Sequence, residues 1–364
     1  MTGGVRHLYV HLPFCAHRCG YCDFVTVVGR PGQHTAYVDA LLGELDLERP
    51  RLARRLETVY LGGGTPTFTE PGELARLLAE LPAADEVTVE ANPETVTPEL
   101  AILLRESGVT RVSLGAQSFQ PRLLHVLERK AAPEDVRRAV RVLREAGFDN
   151  LSLDLIYGIP GQDGADLAHD LAEALRLEPE HLSCYELEAK PGTRFTHAHG
   201  DELSRQAEGM EGYFERVVET LTGAGYRWYE TANFCRPGRE SRHNLAYWLG
   251  RDYLGLGIGA VSTVDGLRWK NTPRLQVYIG AVQNGDPPAR ELESLSEETR
   301  LRERLLLALR LDGEVDLAEV RPALDGEALE RIEGLGLAER RGGSLRLTAR
   351  GRFLGGAVTA ELLA

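Results

Sequence analysis

The feature that most restricts this chain's fold is a repeating alternation of a short apolar run and a stretch with helical spacing. Apolar runs at His7–Leu12, Thr58–Leu61, Glu86–Glu90, Arg111–Leu114, Leu151–Ile156, His181–Leu187 and Arg227–Thr231 read as strands. Between them lie amphipathic segments such as Glu134–Ala146, where Val136, Ala139, Val140 and Leu143 keep the spacing of one helix face. Strand-then-helix alternation over ~230 residues predicts parallel βα units, hence an α/β fold of the partial or open parallel (β/α) barrel type. Polar or glycine-rich positions fall at successive strand ends: Gly62–Thr65, Glu90, Gln117, Asp154 and Tyr185. Ligands bind at the carboxyl ends of parallel strands. Any one of these residues could merely cap the following helix, but their succession points to a site.

The pattern changes after Gly280. Asp286-Pro287-Pro288 reads as a linker and Ser296–Leu311 as an amphipathic helix. Helices near Leu317 and Leu329 follow, then the alternating Leu335–Leu347 with Gly342-Gly343 at its turn. The expected organisation is a barrel core over 1–280 and a small winged-helix-like domain over 281–364, which a length of 364 residues accommodates. Winged helices often bind DNA, but this one has no concentrated basic helix, so packing as a cap on the barrel is the expected role. Across the chain 42 basic residues face 55 acidic ones, a net charge of -13. That is the wrong sign for a protein whose main partner is nucleic acid or an anionic membrane. No apolar run approaches the ~20 residues of a membrane span, and MTGGVRHLYV lacks a signal-peptide layout. The expectation is a cytoplasmic protein that spans no membrane and binds no nucleic acid.

Of five cysteines, three crowd together as Cys15, Cys19 and Cys22. A secreted disulfide framework would have more cysteines, more evenly spread; this cluster suggests metal or redox chemistry. Three thiolates in one loop leave one iron of a four-iron cluster with an open position. The amino and carboxylate groups of S-adenosylmethionine suit that position, and an electron from the cluster would then cleave the sulfonium to a 5′-deoxyadenosyl radical. Zinc, with His11 or His17 as fourth ligand, is the simpler alternative, although zinc fingers usually pair two CxxC units and no second unit exists here. Phe14, Tyr21 and Phe24 flank the loop and would shield a cluster from water. Leu61-Gly-Gly-Gly-Thr-Pro66 would let backbone approach a ligand closely; alone, such a run is often only a tight turn.

CxxxCxxC followed by GGGTP on a βα pattern resembles the radical S-adenosylmethionine enzymes, and more narrowly the branch related to oxygen-independent coproporphyrinogen III oxidase. The matching stretches are YVHLPFCAHRCGYCDF, YLGGGTPTF, TVEANPETV, RVSLGAQSF, LSLDLIYGIPGQ and RHNLAYWLGRDYLGLGIGA, spread over residues 9 to 260. The resemblance implies a [4Fe-4S] cluster on Cys15, Cys19 and Cys22 and S-adenosylmethionine at the open iron. By position, Tyr9 and Tyr21 resemble the aromatics bordering nucleoside and cluster, and Gly63, Gly64 and Thr65 the methionine amino-group site. Glu90, Gln117, Arg129 and Asp154 resemble the polar lining of the nucleoside and carboxylate pocket, and Val261 in GIGAVS an adenine contact. Side-chain chemistry agrees, since Asp and Glu accept ribose hydroxyls and Arg pairs with carboxylates. On its own, Arg129 would read as a solvated helix residue.

That branch contains both the oxidase, which oxidatively decarboxylates two propionates of coproporphyrinogen III, and HemW-type haem chaperones. Three features of this chain resemble the chaperones. The oxidases carry a further cysteine two residues after the third ligand, where Phe24 stands here. They also have an extended N-terminal segment, whereas eight residues precede Tyr9. Finally, His243-Asn244-Leu245-Ala246-Tyr247-Trp248 resembles the chaperones' HNxxYW haem-binding motif. Imidazole is a common axial haem ligand, and Tyr and Trp offer flat apolar faces to a porphyrin; a lone His is more often a hydrogen-bonded core residue. Cys184 and Cys235 read as ordinary buried thiols, Cys235 remaining a second haem-ligand candidate. The resemblance therefore implies haem bound by His243, Tyr247 and Trp248 and delivered to acceptor haem proteins, such as respiratory ones at the membrane. It leaves open whether S-adenosylmethionine is cleaved productively. The alternatives are a coproporphyrinogen III oxidase/dehydrogenase and a nucleic-acid-linked radical enzyme using the C-terminal unit, the latter disfavoured by the acidic balance.

Overall fold

The computed structural model describes residues 4–188, 190, 194–206 and 209–363. Strands β1 (His7–Leu12), β2 (Leu56–Gly63), β3 (Ala84–Ala91), β4 (Arg111–Gln117), β5 (Leu151–Tyr157) and β6 (His181–Glu186) pair in parallel in that order. Each coincides with a predicted strand. Helices α1 (His34–Glu48), α2 (Pro71–Glu80), α3 (Pro98–Glu106), α4 (Pro133–Glu145) and α5 (Gly164–Arg176) supply the crossovers. Two antiparallel strands, β7 (Arg227–Glu230) and β8 (Asn233–Cys235), extend the sheet beyond β6, and β9 (Leu254–Leu256) joins β1 in parallel at the other end. The two end strands do not pair with each other. The sheet is therefore an open barrel, as the alternation predicted.

Successive residues of a strand face opposite ways, and here the two faces differ in kind. Leu8, Val10, Leu12, Val59, Leu61, Val112, Leu114, Leu153 and Leu155 bury into one apolar core with the helices. The alternate positions are polar: His7 lies beside Thr58, Thr58 beside Glu86, and Asp154 beside Ser183. A parallel sheet covered on both faces ordinarily reads as near-continuous apolar strands. The polar inner face makes the concave side the candidate site. A short helix, α7 (Arg242–Trp248), lies against it, its His243 ring stacked on Tyr60 with centroids 5.1 Å apart.

Helix α6 (Met210–Gly223) packs on α5, and α8 (Leu275–Gln283) on α1. A three-stranded antiparallel sheet follows β9: β10 (Val261–Val264), β11 (Leu267–Asn271) and β12 (Arg290–Ser294). Strand β12 comes after the Pro287-Pro288 linker yet pairs with β11 along its whole length, so the chain returns to the first body before leaving it. A second apolar core unites α9 (Glu297–Ala308), α10 (Gly326–Gly334) and the hairpin β13 (Ala338–Arg341)–β14 (Ser344–Leu347) through Leu305, Leu329, Ile332 and Leu345. Gly342 and Gly343 make its turn at φ +56° and +97°, left-handed angles that glycine adopts freely. Among the described residues no helix is long and apolar enough to cross a membrane.

Candidate functional site

The carboxyl ends of β2–β6 and the loop after β1 enclose a cavity of about 430 Å³. Cys15, Cys19 and Cys22 line it together with Tyr21, Gly63, Gly64, Thr65, Glu90, Gln117, Arg129 and Asp154. Tyr9 and Val261 instead line a neighbouring cavity of about 1190 Å³, and Asp23 and Phe24 stand between the two. A chain of contacts joins two of the thiols. Thr65 Oγ1 donates to Cys15 Sγ at 3.5 Å, and Asn92 Nδ2 donates to Thr65 Oγ1 at 3.0 Å. Arg129 Nη2 donates to Asn92 Oδ1 at 2.8 Å and to Gly115 O at 2.9 Å, while its Nη1 reaches Cys19 Sγ at 3.7 Å. Arg129 thus turns into the cavity rather than out to solvent, and its Nε is buried without a partner. Burial pushes the Cys15 and Cys22 thiols up, so their thiolates need compensating positive charge.

The two histidines considered as zinc ligands are already engaged. His11 is buried, with Nδ1 3.0 Å from Tyr9 OH and Nε2 2.8 Å from Val25 O; burial lowers its pKa to about 4. His17 Nε2 lies 2.6 Å from Glu128 O and 3.8 Å from Cys19 Sγ. Among the described residues no three His, Cys, Asp or Glu side chains converge as ligands of a single metal ion. Three thiols on one cavity match the donor set of an iron–sulfur cluster, whose ligands sit on separate irons.

The glycine run serves the cysteine loop as much as any ligand. A Cβ on Gly63, which has φ +109°, would lie 2.4 Å from the His11 ring, and one on Gly64 would lie 2.5 Å from the Pro13 carbonyl. Only glycine lets β2 approach the segment leading into Cys15 this closely. The Gly63 amide donates to Glu90 Oε2 at 3.1 Å and Tyr60 OH to Oε1 at 2.8 Å. Burial, aided by the charge of Asp154, raises Glu90 to about 7 against the opposing bonds. Asp154 is raised as well, by burial, although Ser113 Oγ donates to it at 3.3 Å. Gln117 takes φ +64° where the β4–β5 register shifts. A strained non-glycine residue at a strand end is a frequent mark of a functional position.

Sequence reasoning missed two buried charges. Arg111 is 1% exposed, reaches the cavity, and forms no ion pair among the described residues; its Nε has no partner. The alternation Arg111, Ser113, Gly115, Gln117 places it on the inner face, and that was the available signal. Glu44, fully buried on α1, accepts from Gly257 N at 2.8 Å, Tyr278 OH at 2.7 Å and Asn271 Nδ2 at 2.7 Å. It thereby fixes the GIGA loop beside Val261, which no local pattern could reveal.

The three residues expected at haem do not share one cavity. His243 is 1% exposed, with Nδ1 2.7 Å from Thr58 Oγ1 and Nε2 2.8 Å from Tyr247 OH. Burial lowers it to about 3, so it is neutral and doubly hydrogen-bonded. Tyr247 lines the larger cavity, while Trp248 lies under the Arg310 guanidinium, 4.5 Å from its ring centroid. Cys184 and Cys235 are buried, and burial pushes the Cys235 thiol up to about 12.

Comparison with known proteins places this geometry. The Radical SAM superfamily model matches residues 9–174 and the HemN C-terminal domain model residues 295–354. The heme chaperone HemW of Mycobacterium tuberculosis is 37% identical over 377 residues, covering 100% of this chain and 96% of that protein. The chain belongs to the HemW family. HemW of Bacillus subtilis is 33% identical over 380 residues, covering 99% of both chains. Among solved structures, the Escherichia coli coproporphyrinogen III oxidase HemN, a radical SAM enzyme, superposes with a TM-score of 0.83 at 24% identity, over 98% of this chain and 89% of that one. The oxidase and this member of the HemW family thus share a fold.

Proposed function

We propose that this chain is a haem chaperone that holds a [4Fe-4S] cluster on Cys15, Cys19 and Cys22, binds S-adenosylmethionine beside it, and passes haem to acceptor haem proteins. The observation that carries the reading is identity over the full chain with proteins named heme chaperone HemW. The cavity supports the cofactors. Arg129 brings its guanidinium to Cys19 Sγ and Thr65 donates to Cys15 Sγ, contacts that would complement the negative charge of cluster-bound sulfurs. Glu90 and Asp154 offer buried oxygens to ribose hydroxyls, and Tyr9 and Val261 supply an apolar continuation for adenine. When bound, the cluster supplies the electron that can cleave the sulfonium of S-adenosylmethionine.

Haem in this reading sits against α7, on the Tyr247 side. Tyr247 OH occupies the Nε2 position of His243, so iron ligation by His243 requires that bond to open. The test is anaerobic reconstitution with iron and sulfide, then haem titration of wild type, His243→Ala and Tyr247→Phe, with decarboxylation of coproporphyrinogen III assayed on the same samples. Stoichiometric haem binding that weakens in His243→Ala, without carbon dioxide release, is expected. Decarboxylation without haem binding would move the protein to the oxidase reading.

A further inference from the structure

The larger cavity is far roomier than an adenine ring at Tyr9 and Val261 requires. It extends from the cluster loop past β10 and β11 to α9, at about 1190 Å³. Its walls are apolar in part: Val261, Leu301 and Leu307 line it, and Phe24 stands on its rim 62% exposed, a large side chain left in water beside an open cavity. Cations from three separate elements also face it: Arg251 after α7, Lys270 on β11 and Arg300 on α9. None of these three forms an ion pair among the described residues. The other two lining arginines are committed, Arg268 to Glu303 through contacts of 2.9 and 2.5 Å, and Arg304 to Leu249 O at 2.8 Å. Of the acids in the lining, Glu303 faces Arg268, Asp252 accepts from Asp265 N at 3.2 Å, and Glu297 stands in the first turn of α9. Asp23 also lines the smaller cavity, and Asp265 stands in the turn between β10 and β11.

We propose that this cavity is the porphyrin seat, with the macrocycle against the Phe24, Leu301 and Leu307 walls and its carboxylates held by Arg251, Lys270 and Arg300. The inference rests on the haem-chaperone reading and adds the residues that recognise the cargo independently of its iron. An apolar plane carrying two carboxylates matches apolar walls bearing unpaired cations, and charge-assisted bonds to carboxylates are the stronger kind. Tyr247 faces the same cavity, which puts His243 one hydroxyl behind the surface the macrocycle would touch.

The probe is metal-free protoporphyrin IX, titrated by fluorescence into the reconstituted full chain, with its dimethyl ester and haem alongside. Arg251→Gln, Lys270→Gln and Arg300→Gln are combined in one variant; all three side chains are exposed, so its thermal midpoint should match wild type and report intact folding. The variant should bind protoporphyrin and haem about tenfold more weakly or worse, the loss expected from one or two charge-assisted bonds, and bind the ester as wild type does. Unchanged protoporphyrin affinity in the variant, or equal loss for acid and ester, overturns the seat and leaves the haem reading standing. Wild type that binds haem but not the metal-free ring also overturns it, because recognition would then run through iron. Wild type that binds neither defeats the haem reading itself.

Discussion

Thr58 shows how single side chains order the barrel interior. Its hydroxyl lies 2.9 Å from His7 Nδ1 and 2.7 Å from His243 Nδ1. A hydroxyl has one proton, so at most one imidazole can accept from it and at least one must donate to it, which couples the two tautomers. Thr58→Val keeps the shape and removes both bonds, leaving two buried imidazole nitrogens unpaired; a loss of about 2 kcal/mol is expected by denaturant unfolding. An unchanged midpoint would show that these histidines are not held by Thr58. Glu90 predicts a pH dependence. Its pKa rises on folding to about 7, so its contribution to stability is present below the unfolded value of 4.5 and is lost as pH rises through about 7. Glu90→Gln should therefore gain thermal stability relative to wild type between pH 5 and 8 in cluster-free protein; parallel curves would refute the assignment.

At the scale of elements, α7 depends on its first cap. Seven residues are too few for a helix to persist alone, and its ends are held by tertiary contacts. Ser241 is fully buried, its hydroxyl accepts from Asn244 N at 3.4 Å, and its own amide donates to Tyr229 OH at 3.3 Å. Glu86 Oε1 accepts from Arg242 N at 3.0 Å. Ser241→Ala should cost about 1 kcal/mol and speed amide exchange across 242–248 while sparing β3 and β4. Uniform exchange in both proteins would argue that packing alone positions the helix. The helix carries the HNxxYW pattern, yet its surroundings turn His243 toward Thr58 and Tyr60 and leave Tyr247 facing the larger cavity.

Over the whole molecule, arginines fasten the C-terminal unit to the barrel. Arg310 pairs at 2.7 Å with Glu230, whose side chain is wholly buried, and covers Trp248. Arg352 stacks 3.7 Å from the Trp228 ring centroid and donates to Trp228 O at 2.8 Å; burial lowers it to about 10. Arg227 reaches Asp312 through two bonds of 2.7 and 2.8 Å. Arg310→Ala leaves the buried Glu230 carboxylate without its cation, and a loss on the order of 2 kcal/mol is expected. Because α9 forms one wall of the larger cavity, the same variant should also weaken porphyrin binding. A variant with lowered stability but full porphyrin affinity would show that the C-terminal unit does not shape the seat.

The sequence by itself determined the parallel α/β architecture, since the period of two against 3.6 is written locally in each strand and helix. It also determined the cysteine loop, whose thiols lie within a few residues of one another and need no long-range contact to be seen together. Glu90, Gln117 and Asp154 were legible for a related reason: strand ends meet at one end of any parallel barrel. Tertiary structure alone decided the rest. It set Arg111 in the cavity lining, linked Cys15 to Cys19 through Thr65, Asn92 and Arg129, and made Glu44 the anchor of the GIGA loop. It also split the HNxxYW residues between the core and two different surroundings. These outcomes depend on hydrogen bonds and burial between segments distant along the chain, and the energy of a buried charge or an unpaired donor is fixed only when those segments meet.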